Sequence, residues 1–193
     1  MKRIDCSNLN LNSLDFFDYV NLSLYLSNMA VLKASDNNIE EILENEIYYK
    51  HVKRLYLNNN KISSLEFLKQ FKNVKTVDLN NNKIESISGT GEMIEYLDLS
   101  FNPVKSLKGI NEFKIIKYLN LNKTEIDSIK ELFLNCGTLE ELYIINDKEI
   151  KGFENLNSFK KLKTLRISEK SYKYAKKHIN RALKENRFKL EVI

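Results

Sequence analysis

Cysteine, histidine and glycine are all scarce in this chain, and each scarcity removes a class of chemistry. Two cysteines, Cys6 and Cys136, stand among 193 residues. They are too few for a disulfide framework and read as small buried apolar residues of a reducing compartment. The two histidines, His51 and His178, are isolated, so no His-Glu-x-x-His metal helix exists, and no Cys-x-x-Cys pair occurs either. Five glycines leave no Gly-x-x-x-x-Gly-Lys loop, and Gly89 with Gly91 are too few to cradle a phosphate. The expectation is therefore a chain that is not an enzyme, with no cofactor, no metal site and no small-molecule substrate. No run of roughly 18 apolar residues is present, which predicts no membrane-spanning helix. Asp5, Asn8 and Asn10 interrupt any apolar signal-peptide core at the start, which predicts a cytoplasmic chain, with the nucleus as the alternative. In either compartment Asn21-Leu22-Ser23 and Asn122-Lys123-Thr124 are chance matches to a glycosylation pattern.

What the chain does have is apolar residues in quantity and in register. The hydrophobic fraction of 42% is enough for a continuous core and excludes a disordered chain. The segment Val52-Lys53-Arg54-Leu55-Tyr56-Leu57-Asn58-Asn59-Asn60-Lys61-Ile62 recurs from Val74 to Ile84 and from Ile94 to Val104. Weaker copies begin at Met1, Met29, Ile116, Leu139 and Leu162. The second apolar position of successive copies is Ile4, Leu32, Leu55, Val77, Leu97, Leu119, Leu142 and Leu165, at intervals of 28, 23, 22, 20, 22, 23 and 23. Eight such copies define a repeat protein.

Each part of the repeat has a physical reading. Alternation such as Leu55-Tyr56-Leu57 has period 2 and predicts a short strand with one buried face. The Asn that follows, as at Asn37, Asn60, Asn82 and Asn102, falls where the chain turns a corner, and its amide can satisfy backbone groups of adjacent turns as a buried ladder. Ile62, Leu65, Leu68 and Phe71, spaced near three, predict helical or 3₁₀ segments on the return. One repeat cannot bury its own face, so stability must come from stacking.

This pattern resembles the leucine-rich-repeat family. It is similar to that family's class of short repeats, about 22 residues each, to which the leucine-rich regulatory subunit of phosphatase-1 and the leucine-rich subunit of the spliceosomal U2 particle belong. The resemblance covers roughly residues 1–168. It implies one domain over residues 1–193: a right-handed α/β solenoid with a parallel concave sheet of eight or nine strands and short helical or 3₁₀ segments outside. Residues 1–28 are expected to form an N-terminal capping repeat, residues 29–168 the repeats and residues 169–193 a basic helix-and-strand cap.

Departures from the repeat carry further expectations. Leu9 replaces the ladder Asn in the first copy, as suits a terminal repeat. The long connection from Leu14 to Met29 predicts a short packed helix. Gly89-Thr90-Gly91 shortens one return and predicts a tight turn there. Thr124 and Asp147 stand where Asn stands earlier, and an extra residue near Glu149-Ile150 predicts a local bulge. Ser171 is expected to cap a helix from Tyr172 to about Asn186, with Tyr172, Ala175, Ile179 and Leu183 on its buried face. The alternation of Phe188, Leu190 and Val192 predicts a final strand.

If Leu55 and Leu57 point inward, their neighbours face out. The outward column then holds Asp5, Lys33, Tyr56, Asp78, Asp98, Asn120, Tyr143 and Arg166, and the column beside it Arg3, Val31, Arg54, Thr76, Tyr96, Tyr118, Glu141 and Thr164. Tyr56, Tyr96, Tyr118 and Tyr143 thus cluster around the Asp78–Asp98 pair. Aromatic residues with Arg are common anchors of protein interfaces. The candidate protein-binding residues are therefore Arg54, Tyr56, Asp78, Tyr96, Asp98, Tyr118, Asn120, Tyr143 and Arg166. A solvated sheet face is the alternative, because Tyr favours strands.

Charge adds a second candidate. Residues 151–193 hold 13 Lys and Arg against four Glu, whereas residues 1–150 hold 18 against 22 acidic residues. Lys173, Lys176, Lys177, Arg181, Lys184 and Arg187 lie along the expected last helix. The favoured reading is a scaffold or adaptor for a protein partner. The alternative is a ribonucleoprotein or ribosome-associated component that touches RNA through the basic end. A polar outer face on a capping helix is the plainer account of the same cations.

Overall fold

The computed structural model describes residues 2–14, 29–44, 49–135 and 137–193. Nine short strands form one parallel sheet: β1 (Lys2–Asp5), β3 (Met29–Lys33), β5 (Arg54–Tyr56), β6 (Thr76–Asp78), β7 (Tyr96–Asp98), β8 (Tyr118–Asn120), β9 (Glu141–Ile144), β10 (Thr164–Ile167) and β11 (Lys189–Val192). Each strand pairs with the next one in the series, so every turn of chain adds one rung. A second, two-stranded sheet pairs β2 (Ser13–Leu14) with β4 (Glu41–Ile42). The helix expected between Leu14 and Met29 falls largely outside the described residues, and so does Cys136.

The central residue of each interior strand points inward, and Leu55, Val77, Leu97, Leu119, Leu142 and Leu165 are fully buried. With the residue two further on, such as Leu57, Leu79, Leu99 and Leu121, they build one continuous core. Each such side chain contributes about 1.5–3 kcal/mol when removed from water, but only because the turns above and below cover it.

The returns are thin. They contain 3₁₀ segments at Glu66–Gln70, Ile110–Glu112, Lys130–Asn135 and Leu156–Ser158. The shortened turn at Gly89-Thr90-Gly91 has none. Gly89 sits at φ +99°, and a Cβ there would meet the Leu65 carbonyl oxygen at 2.8 Å, so only glycine lets the two turns approach so closely.

Between sheet and return runs the asparagine ladder. The Asn82 amide donates to its own turn at Leu79 O (3.0 Å) and to the preceding turn at Leu57 O (3.0 Å), while its Oδ1 accepts from Ile62 N (3.0 Å). Asn60 bonds Leu57 O, Ala34 O and Ile39 N, and Asn102 bonds Leu99 O, Leu79 O and Ile84 N, in the same way. Thr124 continues the column through its hydroxyl, which donates to Leu121 O and accepts from Asn146 Nδ2.

The last two rungs differ from the sequence reading. Asn146, not Asp147, occupies the ladder and receives Thr124 N (3.1 Å), while Asp147 lies outside in an ion pair with Lys123. An amide carries both a donor and an acceptor, as the site requires; a carboxylate offers only acceptors. The extra length therefore lies between Asn146 and Ile150. Ser171 forms the following rung, accepting from Ile150 N (3.2 Å). It is not the helix cap. Helix α1 spans Glu169–Asn186 and is capped by Ser168, whose hydroxyl accepts from Ser171 N. Its buried residues are Ser171, Ala175, Ile179 and Ala182, with Tyr172 and Leu183 packed partly against the core. Asn186 donates to Asn157 O (3.0 Å), tying the end of α1 to the last return. β11 then adds the ninth strand beside β10.

Candidate protein-binding surface

The register places the two outward columns as the alternation requires. Tyr56 lies opposite Asp78, Asp78 opposite Asp98, Asp98 opposite Asn120, Asn120 opposite Tyr143 and Tyr143 opposite Arg166. In the neighbouring column Arg54, Thr76, Tyr96, Tyr118 and Glu141 follow one another. All nine residues of the first candidate site therefore share one face of the sheet.

That face is ordered by its own contacts. Tyr96 and Tyr118 stack with ring centroids 4.1 Å apart, and Tyr118 meets Tyr143 at 5.1 Å. The Arg166 guanidinium sits 5.0 Å over the Tyr143 ring, and Lys33 sits 5.0 Å over Tyr56. Such cation–ring pairs contribute about 0.5–1 kcal/mol where solvent reaches them. Arg166 is also held by Glu191, through its Nε at 2.6 Å and a second nitrogen. The Tyr143 hydroxyl donates to Glu141 (2.6 Å). Burial and the neighbouring Glu141 push the Tyr143 hydroxyl up to about 12, and burial raises Tyr96 and Tyr118 as well. All three stay neutral phenols at physiological pH.

Beside the tyrosines stand the two carboxylates. Asp98 is held at both oxygens: Ser100 N (2.9 Å) and Ser100 Oγ donate to Oδ1, and Asn120 Nδ2 (2.9 Å) donates to Oδ2. Asp78 accepts from Asn80 N (3.0 Å). Burial raises the Asp78 carboxyl above its ordinary value; the Asn80 bond opposes that rise, and the charge of Asp98 adds to it. One residue before the strands runs a separate row of ions, in which Glu95 bonds both Lys75 (2.8 Å) and Lys117 (2.6 Å).

Ser100 and Glu191 were not among the residues singled out from sequence. Ser100 occupies the repeat position held elsewhere by Asn58, Asn80 and Asn122, so a polar residue was foreseeable there, but not its double bond to Asp98. Glu191 follows from extending the outward column into β11, where it lies opposite Arg166.

The second candidate set lies elsewhere. Lys173, Lys176, Lys177, Arg181 and Lys184 are exposed on α1, and Arg187 is exposed just beyond it. Two of these cations are paired, Lys173 with Glu169 and Arg181 with Glu185. Glu169 enters the helix because it begins three residues earlier than the sequence reading placed it. Among the described residues there is no cluster of three or more metal-ligating side chains, and no helix is long and apolar enough to cross a membrane. His51 and His178 are both exposed.

Residues 50–89 match the family model described as leucine-rich repeats in two copies. The chain carries leucine-rich repeats and has their solenoid fold. Solved leucine-rich-repeat structures share its fold. Internalin C2 of Listeria monocytogenes superposes with a TM-score of 0.65 at 22% identity over 76% of this chain. A leucine-rich-repeat protein of Leptospira interrogans superposes with a TM-score of 0.62 at 21% identity over 86% of it. TLR13, solved in complex with the RNA ssRNA13, superposes with a TM-score of 0.63 at 21% identity over 84% of it. The chain spans 64%, 48% and 25% of the lengths of those three proteins. No curated protein matches it by sequence. Leucine-rich-repeat solenoids generally mediate protein–protein interaction.

Proposed function

We propose that this leucine-rich-repeat solenoid is a non-catalytic scaffold that binds a protein partner through the tyrosine-lined outward face of its sheet. The observation that carries this reading is the Tyr96–Tyr118–Tyr143–Arg166 series, in which each member touches the next. Side chains already held in place lose little conformational freedom on binding, and Tyr and Arg are enriched at the centres of interfaces. The cytoplasm is the proposed compartment, in keeping with the free thiol of Cys6. The test is affinity enrichment from native cells with the wild type and with a Tyr96→Ala/Tyr118→Ala variant. Proteins held by the wild type and lost from a folded variant support the reading. Retention of the same proteins at full yield sinks it.

A second reading has its own observation. Six cations of the C-terminal end face solvent, a footprint suited to an anionic polymer such as RNA. One of the structural neighbours, TLR13, was solved with an RNA bound. Here, exchange of Lys173, Lys176, Lys177 and Arg181 for Glu is expected to abolish co-sedimentation with ribonucleoprotein particles. Unchanged sedimentation at low and high salt reduces the basic end to a solvated cap.

A further inference from the structure

The Asp78–Asp98 pair is costly to the isolated chain. The two residues lie directly opposite one another on β6 and β7, where neighbouring strands run about 4.8 Å apart. Like charges at that spacing repel, and partial burial adds a desolvation cost. Other carboxylates near the sheet have cations beside them. Asp5 pairs with Arg3, Glu191 with Arg166 and Lys189, and Glu95 with two lysines. Among the described residues Asp78 and Asp98 take part in no ion pair, and Asp98 is instead fixed in place by Ser100 and Asn120. The aromatic residues show the same gap. At the two ends of the stripe a cation of this chain sits 5.0 Å over a ring, Lys33 over Tyr56 and Arg166 over Tyr143. The central Tyr96–Tyr118 stack, next to the paired carboxylates, carries none among the described residues.

We propose that the partner supplies the missing cation: a lysine or arginine side chain of the bound protein seats beside Tyr56 and Tyr96 with its charge against Asp78 and Asp98. The proposal rests on the outward sheet face being the binding surface, and it names the chemistry of the group recognised there. Neutral phenols offer ring faces to a cation, and the two carboxylates together balance its charge. One inserted cation relieves the Asp78–Asp98 repulsion as it binds, so the unfavourable pair in the free protein becomes selectivity for a basic segment and against an acidic one.

The test uses a phage-displayed random peptide library selected on the intact chain. Selected peptides are expected to share a Lys or Arg. Their affinity for an Asp78→Asn/Asp98→Asn variant should be about tenfold weaker or less still. Replacing the peptide cation with Gln should cause a similar loss, and raising salt should weaken binding to the wild type only. Asn keeps an oxygen for the Asn80 and Ser100 donors, but at position 98 its NH2 cannot accept from Asn120 Nδ2; the single Asp78→Asn change, which leaves the Asn120 bond intact, serves if the double variant melts early. Peptides that lose affinity for Tyr96→Ala/Tyr118→Ala but not for the Asp variant overturn the cation proposal and leave the tyrosine face standing. Peptides indifferent to both variants, or no selected peptides at all, overturn both.

Discussion

The rings of Tyr96 and Tyr118 lie face to face, 8° from parallel, on adjacent strands of the outward face. Their strand neighbours Leu97 and Leu119 are completely buried on the other side. The two faces should therefore answer truncation differently. Tyr118→Ala loses one ring contact on each side and should cost about 1–2 kcal/mol. Leu97→Ala leaves a cavity in the stacked core and should cost about 2–5 kcal/mol. Urea denaturation of both variants measures this. Equal losses would mean that the inward and outward assignments do not govern stability.

Asn82 ties two turns together: it bonds its own turn at Leu79 O and the preceding turn at both Leu57 O and the amide of Ile62. Asn82→Ala should lower stability by about 1–3 kcal/mol, because the buried Ile62 amide loses its acceptor while Leu57 O and Leu79 O each lose one of two asparagine donors. An unchanged denaturation midpoint would remove the ladder from the account of the fold.

Glu95 gives stability a pH dependence of known sign. Lys117 and Lys75 hold its carboxyl at about 2, below the ordinary 4.5. A depressed carboxyl stabilises the fold above its unfolded value, and that contribution fades as pH falls from about 4.5 toward 2. The gap in melting temperature between wild type and Glu95→Gln should therefore be open at pH 7, close in acid and narrow in high salt, because all three side chains are solvent-accessible. A gap that widens on acidification would contradict this.

Phe101 occupies a left-handed conformation, φ +55°, at a ladder corner where preceding turns place Asp36, Asn59 and Asn81. Its ring is 56% exposed, so burial does little to offset the strain. Phe101→Asn should raise stability by about 0.5–1 kcal/mol. It should also extend the side-chain chain that runs from Asn81 to Asn59 (2.9 Å) and from Asn59 to Asp36 (2.6 Å). A lower melting temperature would show that the ring is held by contacts worth more than the strain.

The sheet and its outward columns were legible because they rest on period-2 alternation, and a one-residue slip would have exposed Leu55, Val77 and Leu97 together. Asn60, Asn82 and Asn102 were legible for a related reason: each stands at the same offset from a strand leucine. The later rungs were not. Asn146 and Ser171 depart from that offset, and only the backbone path shows which side chain reaches Thr124 N or Ile150 N. By residue type Ser168 and Ser171 are equally good helix caps; the choice is made by where Ile167 leaves the sheet. At the candidate site, the identities and the shared face of the tyrosines could be read directly. The stacking angle of Tyr96 on Tyr118 and the clamp of Ser100 and Asn120 on Asp98 could not, since both depend on rotamers.

The ladder also sets how deuterium should enter the protein. Amides of Ile39, Ile62 and Ile84 lie in stretches with no regular secondary structure, which ordinarily exchange fast. Each of them donates to a buried asparagine belonging to the next turn of the chain. Their release requires two turns to separate, so these corner amides should exchange as slowly as those in the centre of the sheet. The slow-exchanging unit then spans neighbouring repeats, and its boundaries fall between strands and not at the repeat boundaries read from sequence.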